Sequence, residues 1–458
     1  MNRQPLILAV LLMTALACSL PGLESAPTPP PLDAAQTAVA ATLTASVPIS
    51  EPGVTVAAPT ETPAPAITDT PPTSPPPSAQ CAVAVADGHT VLCQNGADQI
   101  QLADAGTLSV NAVAVSSDGT LVAYLASQSD GGSQLWTELW VVNADGSNAR
   151  KVAGPEQLPA SDPAGVNWPR AIQWQAGTHN IFFDTGWTPV GGIQGPGEYI
   201  NNDLWVVDAD TGGLSQMLTP GTGGLFSVSP DGAWVAVSDP DSIGLISADG
   251  ATTRPDVLAF QPIITYSEYQ YKPQVTWGAD GSYFIALIPS PDPMAADAGT
   301  TLFRVSVDGS TQRLDTLSGG FLFDPSVKPS PDGQWVAYLK NTFDGTNNHL
   351  FLQVARTDGS QDSGGETPLG TSLHSWSPDS LWVAYDVHDE GLYVAGFNGV
   401  GQLLAQQQVT ISFEWTGANS AVFSGQLNGH WGVRAAQVGG ASADVAGPFS
   451  EFVVFDAR

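Results

Sequence analysis

Residues 327–338 read VKPSPDGQWVAY, and residues 226–237 read FSVSPDGAWVAV. In both, a short segment runs into Ser-Pro-Asp-Gly and leaves through Trp-Val-Ala. Gly tolerates the positive backbone dihedral of a tight turn, Asp bonds its own backbone two residues on, and Pro fixes the approach. The wording predicts two antiparallel strands joined at the Asp-Gly. Working outward, the same sentence recurs as VNAVAVSSDGTLVAY (110–124), AIQWQAGTHNIFF (171–183), VTWGADGSYFIAL (275–287), HSWSPDSLWVAY (374–385) and ISFEWTGANSAVF (411–423). Each of the seven is followed by a second apolar segment and turn: LWVVNADGS (139–147), LWVVDADTG (204–212), IGLISADGA (243–251), LFRVSVDGS (302–310), LQVARTDGS (352–360), LYVAGFNGV (392–400) and WGVRAAQVG (431–439).

Gly119, Thr178, Gly232, Gly281, Gly333, Ser380 and Asn419 mark one turn position, with separations of 59, 54, 49, 52, 47 and 39. A period near 50 with about four short strands per copy is the signature of a β-propeller. One such sheet has two apolar faces and cannot bury them alone. Stacked radially, each sheet covers its neighbours, and ring closure leaves only short edges. The expectation is an all-β propeller of seven four-stranded blades, with eight or six as alternatives. The segments 90–106 and 452–458 read as strands that either complete the seventh blade or combine into an eighth. Trp174, Trp277, Trp376 and Trp415 end first strands, Trp234, Trp335 and Trp382 occupy second strands, and Trp140 and Trp205 third strands. These nine are expected to pack between blades.

The repeated wording resembles the TolB-type propeller repeat, related to the WD-type propellers. The resemblance covers about 108–440 and weakens in copies two and seven, where Asp-Gly is missing. It implies a ring of blades around a channel, used as a protein-interaction platform. The same repeat forms a non-catalytic gate in some serine peptidases.

The first residues, MNRQPLILAVLLMTALAC, place one positive charge before an apolar run and a small residue before Cys18. This is a secretory signal layout. It resembles a bacterial lipoprotein signal in which Cys18 is lipidated, although Ala15 stands where that motif prefers Leu. Ordinary signal cleavage beside an incidental cysteine is the alternative. Residues 18–80 are rich in Pro, Thr and Ala and are expected to stay disordered. The domain expectation is a signal peptide over 1–17, a lipidated tether over 18–80 and one propeller over 81–458. The localisation expected is a cell-envelope or cell-surface lipoprotein, exported from the cytoplasm. Cys81 and Cys93 flank a hairpin with its turn at 87–88. In an exported chain they read as a structural disulfide, with a reactive thiol pair as the alternative.

The chain of 458 residues carries 13 Lys plus Arg against 44 Asp plus Glu, a net charge of −31. Such a surface repels nucleic acid and anionic lipid, so no nucleic-acid partner is expected and membrane contact is confined to the lipid. There is no G-x-S-x-G, H-E-x-x-H, Walker-type loop or paired C-x-x-C. The six histidines are scattered singly, and the acidic clusters 238–242 and 387–391 lack the spaced calcium-loop pattern, so they read as solvated turns. On these grounds the expectation is a monomer that is not an enzyme, with no cofactor and no metal. Its partner would be another envelope or extracellular protein, or a saccharide. The departures from the repeat carry the candidate binding residues, because function on such scaffolds lives on loops. Insertion 154–171 contains Trp168 and Arg170, insertion 184–202 contains Trp187 and Tyr199, and link 260–273 contains Phe260, Tyr266, Tyr269 and Tyr271. The alternative is that these loops plug the channel or cap a blade. A gate or sensor role in a larger assembly, and channel chemistry of a lyase or hydrolase, are the competing functional readings.

Overall fold

The computed structural model describes residues 79–130, 133–160, 165–189, 200–318, 327–343, 348–360, 362–364, 370–387 and 390–458. The expected signal peptide, Cys18 and nearly all of the tether lie outside these residues. Within the described residues 32 strands form eight four-stranded antiparallel sheets. The blades span 109–153 (I), 165–218 (II), 225–259 (III), 275–318 (IV), 327–364 (V), 370–405 (VI) and 409–449 (VII). The seventh copy completes four strands by itself, so the two chain ends have no place in it. They make blade VIII instead: Val454–Ala457 is its first strand, followed outward by Val83–Asp87, Thr90–Asn95 and Asp98–Asp104. The count is thus eight, the alternative in which segments 90–106 and 452–458 combine into a further blade, and not seven. The eighth copy escapes the sequence pattern because its first strand, 454–457, follows the seventh copy whereas its other three, 83–104, precede the first.

The turn at the heart of the repeat is built alike in four blades. Ser116, Ser229, Ser330 and Ser377 are buried, and each hydroxyl donates to the Asp two residues on, Asp118, Asp231, Asp332 and Asp379, at 2.5–2.7 Å. The same hydroxyl accepts the N–H of the residue five places on, at 2.9–3.0 Å in Leu121, Trp234, Trp335 and Trp382. One Ser-x-Asp unit therefore satisfies polar groups that burial would otherwise strand. In blade II the missing Asp-Gly is replaced by Gly177, which takes the positive φ of 73°.

No single central core exists. Eight apolar clusters fill the eight inter-blade gaps, and each draws from two adjacent sheets. Alternation along each second strand sends neighbouring residues into different gaps. Val122 and Tyr124 pack toward blade VIII, whereas Leu121 and Ala123 pack toward blade II. Cys81 and Cys93 are joined by a disulfide across the first hairpin of blade VIII. The inner strand of every blade is a sheet edge facing the channel, and four of the expected tryptophans fasten it. Trp174, Trp277, Trp376 and Trp415 each donate from Nε1 to an inner-strand carbonyl of the preceding blade: Ala114 at 3.0 Å, Ser227 at 3.3 Å, Lys328 at 2.7 Å and Ser375 at 3.1 Å. Gln173 reaches forward to blade III, donating to Phe226 O at 3.3 Å and accepting the Val228 N–H at 2.8 Å.

Antiparallel order sorts the connections by face. First-to-second and third-to-fourth turns, including every Ser-x-Asp unit, lie on one face, here the turn face. Second-to-third turns and blade-to-blade crossings lie on the other, the loop face.

Candidate recognition face and channel wall

All three departures from the repeat leave and re-enter the sheets on the loop face, because they connect an outer strand to the next inner strand after 153 and after 259, and a second strand to a third after 189. Their candidate residues divide into four groups. Trp168 and Arg170 sit on the inner strand Gly165–Trp174, and Trp187 on its partner Asn180–Pro189, so both insertions partly extend a hairpin instead of forming free loops. Asn167 pairs with Trp187 and Trp168 with Gly186, which sends the two indoles to opposite faces of that hairpin. Gly186 leaves room for the Trp168 ring and Gly165 for the Trp187 ring; a Cβ at either would collide with the indole. Trp168 Nε1 also donates to Thr188 Oγ1 at 2.9 Å. Tyr199 lies outside the described residues. Phe260 and Tyr271 turn inward: Phe260 packs on the blade III–IV cluster, and burial pushes the Tyr271 phenol up to about 12. Tyr266 and Tyr269 remain outward, 63% and 47% exposed, beside Ile264 at 50% and Met294 at 76%. The loops carrying them are tied together, with Ile264 N–H donating to Pro291 O at 2.8 Å and Tyr266 Oη to Asp292 Oδ1 at 2.8 Å.

The polar chemistry lies deeper, and the sequence reading missed it. Asp184 is buried with its Oδ1 3.2 Å from Arg170 Nε. Burial pushes its carboxyl up to about 7; Arg170 pulls against this, and Asp203 adds to it. Asp203 is itself buried and accepts from Thr185 N, Thr185 Oγ1 and Trp205 Nε1 at 2.7–2.9 Å. Lys272, from the blade III–IV crossing, reaches over blade III to donate to Asn202 Oδ1. Across the ring, Glu414 on the inner strand of blade VII accepts Ala457 N–H at 2.7 Å, and Asp456 on that of blade VIII accepts Val115 N–H at 2.6 Å. Burial raises both carboxyls, and the Asp456 charge further raises Glu414. In blade VI, Asp386 takes Thr410 Oγ1 at 2.6 Å and stands 3.1 Å from His374 Nε2.

On the turn face His179 is held between two blades, with Nδ1 2.8 Å from Asp210 Oδ2 and Nε2 3.2 Å from Asp118 Oδ2. Burial disfavours its charge, but the two carboxylates outweigh that and raise its pKa. Among the described residues no three His, Cys, Asp or Glu side chains gather as a metal site requires.

A sequence signal for the buried carboxylates existed. The residue after the second-strand apolar triad is Leu125, Ser238, Leu287, Leu339 and Ser424 in five copies, but Asp184 and Asp386 in the other two. Likewise the residue before the first-strand Trp is Gln173, Thr276 and Ser375, but Glu414 in copy seven.

No family model and no curated protein matches the chain. Solved structures match its fold. Dipeptidyl peptidase 4 from Porphyromonas gingivalis shares 10% identity at a TM-score of 0.50, over 81% of this chain and 60% of that one. An oligogalacturonate lyase in complex with manganese shares 15% at 0.44, over 69% and 88%. A TolB-like protein from Agrobacterium tumefaciens shares 15% at 0.32, over 65% and 84%. These likenesses establish the propeller and nothing finer. The likeness to dipeptidyl peptidase 4 corrects the expectation that the chain is not an enzyme, since that expectation was drawn from the fold. That expectation rested on missing motifs in a fold taken to be a non-catalytic platform, whereas the same fold occurs in dipeptidyl peptidase 4.

Proposed function

We propose that this propeller is an exported, membrane-tethered recognition module, anchored through Cys18, that binds an envelope or extracellular partner on its loop face. The observation carrying this reading is the bias of the insertions. Three departures from a regular repeat open on one face, and beside the blade III–IV crossing they leave Tyr266, Tyr269 and Met294 exposed. A loop serving only to cap the ring would cover its aromatics, as Phe260 and Tyr271 are partly covered. Exposed, rigidly held aromatics are the side chains that anchor interfaces.

The test is capture from detergent-solubilised membranes of the producing cells, using immobilised protein and a variant with 262–271 replaced by a Gly-Ser linker of equal length. Loss of the captured species with the variant supports the reading; identical capture sinks it. Separately, Cys18→Ser is expected to move the chain from the membrane fraction to the soluble one, and an unchanged distribution refutes the anchor.

A further inference from the structure

We propose that the loop-face hollow bounded by Pro240, Ile264, Tyr266, Glu268 and Tyr269 binds a lysine or arginine side chain of a protein partner. This rests on the recognition reading above and specifies its chemistry. The hollow is open and has a volume of about 580 Å³. It is lined by Pro240 and the segment 262–271, whose one charged side chain is Glu268; the adjoining segments 238–242 and 290–298, the latter tied on through Pro291 and Asp292, add Asp239, Asp241, Asp292 and Asp297 and no Lys or Arg. Lys272, the nearest base along the chain, is directed to Asn202 instead. The site therefore combines two outward phenol rings with a carboxylate on a molecule of net charge −31. Aromatic faces beside a carboxylate are the arrangement that attracts ammonium and guanidinium groups.

The molecule uses this pairing internally. Arg304 lies 3.5 Å from the Tyr283 ring centre, Arg254 5.0 Å from that of Trp234 and Arg356 5.1 Å from that of Trp335. Tyr266 offers the same surface outward. It does so from a backbone φ of 55°, a left-handed conformation that a non-glycine residue seldom adopts. Its hydroxyl is fixed on Asp292, and Thr265 Oγ1 braces the loop by donating to Tyr269 O at 2.5 Å. The rings are thus held in place before any partner arrives, which lowers the ordering cost of binding.

The test uses the full chain at near-physiological salt, with fluorescein-labelled nona-arginine and nona-lysine as probes and binding read by anisotropy. Tyr266→Ala/Tyr269→Ala leaves the net charge unchanged and is expected to weaken binding roughly tenfold or more. Tyr266→Phe/Tyr269→Phe keeps the rings and is expected to stay near wild type. Glu268→Gln is expected to weaken binding several-fold more than Asp98→Asn, a charge-matched change on blade VIII. Thermal melts verify that each variant is folded. Equal binding by the double alanine variant means that the probes feel only the net charge, and the proposal fails. Chitohexaose serves as a neutral probe. If it binds through the two tyrosines while the cationic peptides do not, the cationic occupant is wrong but the recognition face stands. If loop replacement also leaves membrane capture unchanged, both readings fall.

Discussion

The Ser-x-Asp turn shows how much one hydroxyl does. Ser330 Oγ donates to Asp332 and accepts from Trp335 N–H, and the serine is fully buried. Ser330→Ala leaves a buried N–H without its acceptor, which costs about 1–3 kcal/mol. Urea unfolding is expected to show that loss, while a serine on the exposed side of a turn, such as Ser360, changes little. Asp184 gives a residue-scale prediction of opposite pH character. Its folded pKa, about 7, lies above the ordinary carboxylate value of 3.8. A raised acid stabilises the fold fully below its unfolded pKa, and this contribution is lost as pH rises through the folded one. Stability should therefore fall between about pH 4 and pH 7 on its account. Asp184→Asn mimics the protonated form, so its urea midpoint should match wild type only below about pH 4 and exceed it increasingly up to pH 8. A midpoint below wild type at pH 8 would show that the carboxylate is held charged by Arg170.

At the scale of the element, the inner strand is an edge that the chain covers with side chains from neighbouring blades. Trp376 combines apolar packing in the blade V–VI cluster with an Nε1 donation to Lys328 O. Trp376→Phe keeps much of the packing and removes the donor, so a loss of about 1 kcal/mol is expected, whereas Trp376→Ala should cost about 3–5 kcal/mol. Denaturant titration separates the two. These strands were legible because their physics is local: the Asp-Gly turn, the flanking apolar alternation and the terminal Trp all fall within about 15 residues of one another. The direction of the indole donation was not legible, since it depends on which blade lies alongside. The same holds for the candidate site. Outward Tyr266 and Tyr269 could be picked from composition. The inward turn of Phe260 and Tyr271 could not, nor could the meeting of Arg170 with Asp184 across a bulge in the blade II hairpin. Asp184 was visible as an acid where its counterparts are Leu or Ser, a signal available only once the copies are aligned strand by strand.

For the whole molecule the decisive element is the last. Val454–Ala457 pairs with Val83–Ala86, so the last strand and the first described strand share one sheet. That strand also delivers Phe455 to the blade VII–VIII cluster and links three consecutive inner strands, through Glu414 to Ala457 N and Asp456 to Val115 N. The Cys81–Cys93 disulfide fixes the hairpin onto which this strand docks. A bridge over 12 residues constrains the unfolded chain by roughly 3 kcal/mol, so Cys81→Ser/Cys93→Ser should lower stability by about that amount while leaving the ring closed. Ending the chain after Val453 has a different consequence. It strips the strand Val83–Asp87 of its inner partner, opens a sheet edge, and exposes one side of an apolar cluster. Each blade is covered only by its neighbours, so a gap in the ring weakens the two flanking blades as well. The truncated chain should therefore unfold at lower urea, with a broader transition than the parent, and should associate with rising concentration in light scattering. A truncated chain that stays monomeric and unfolds at the parental midpoint would mean that the seven remaining blades hold the ring without its closing strand.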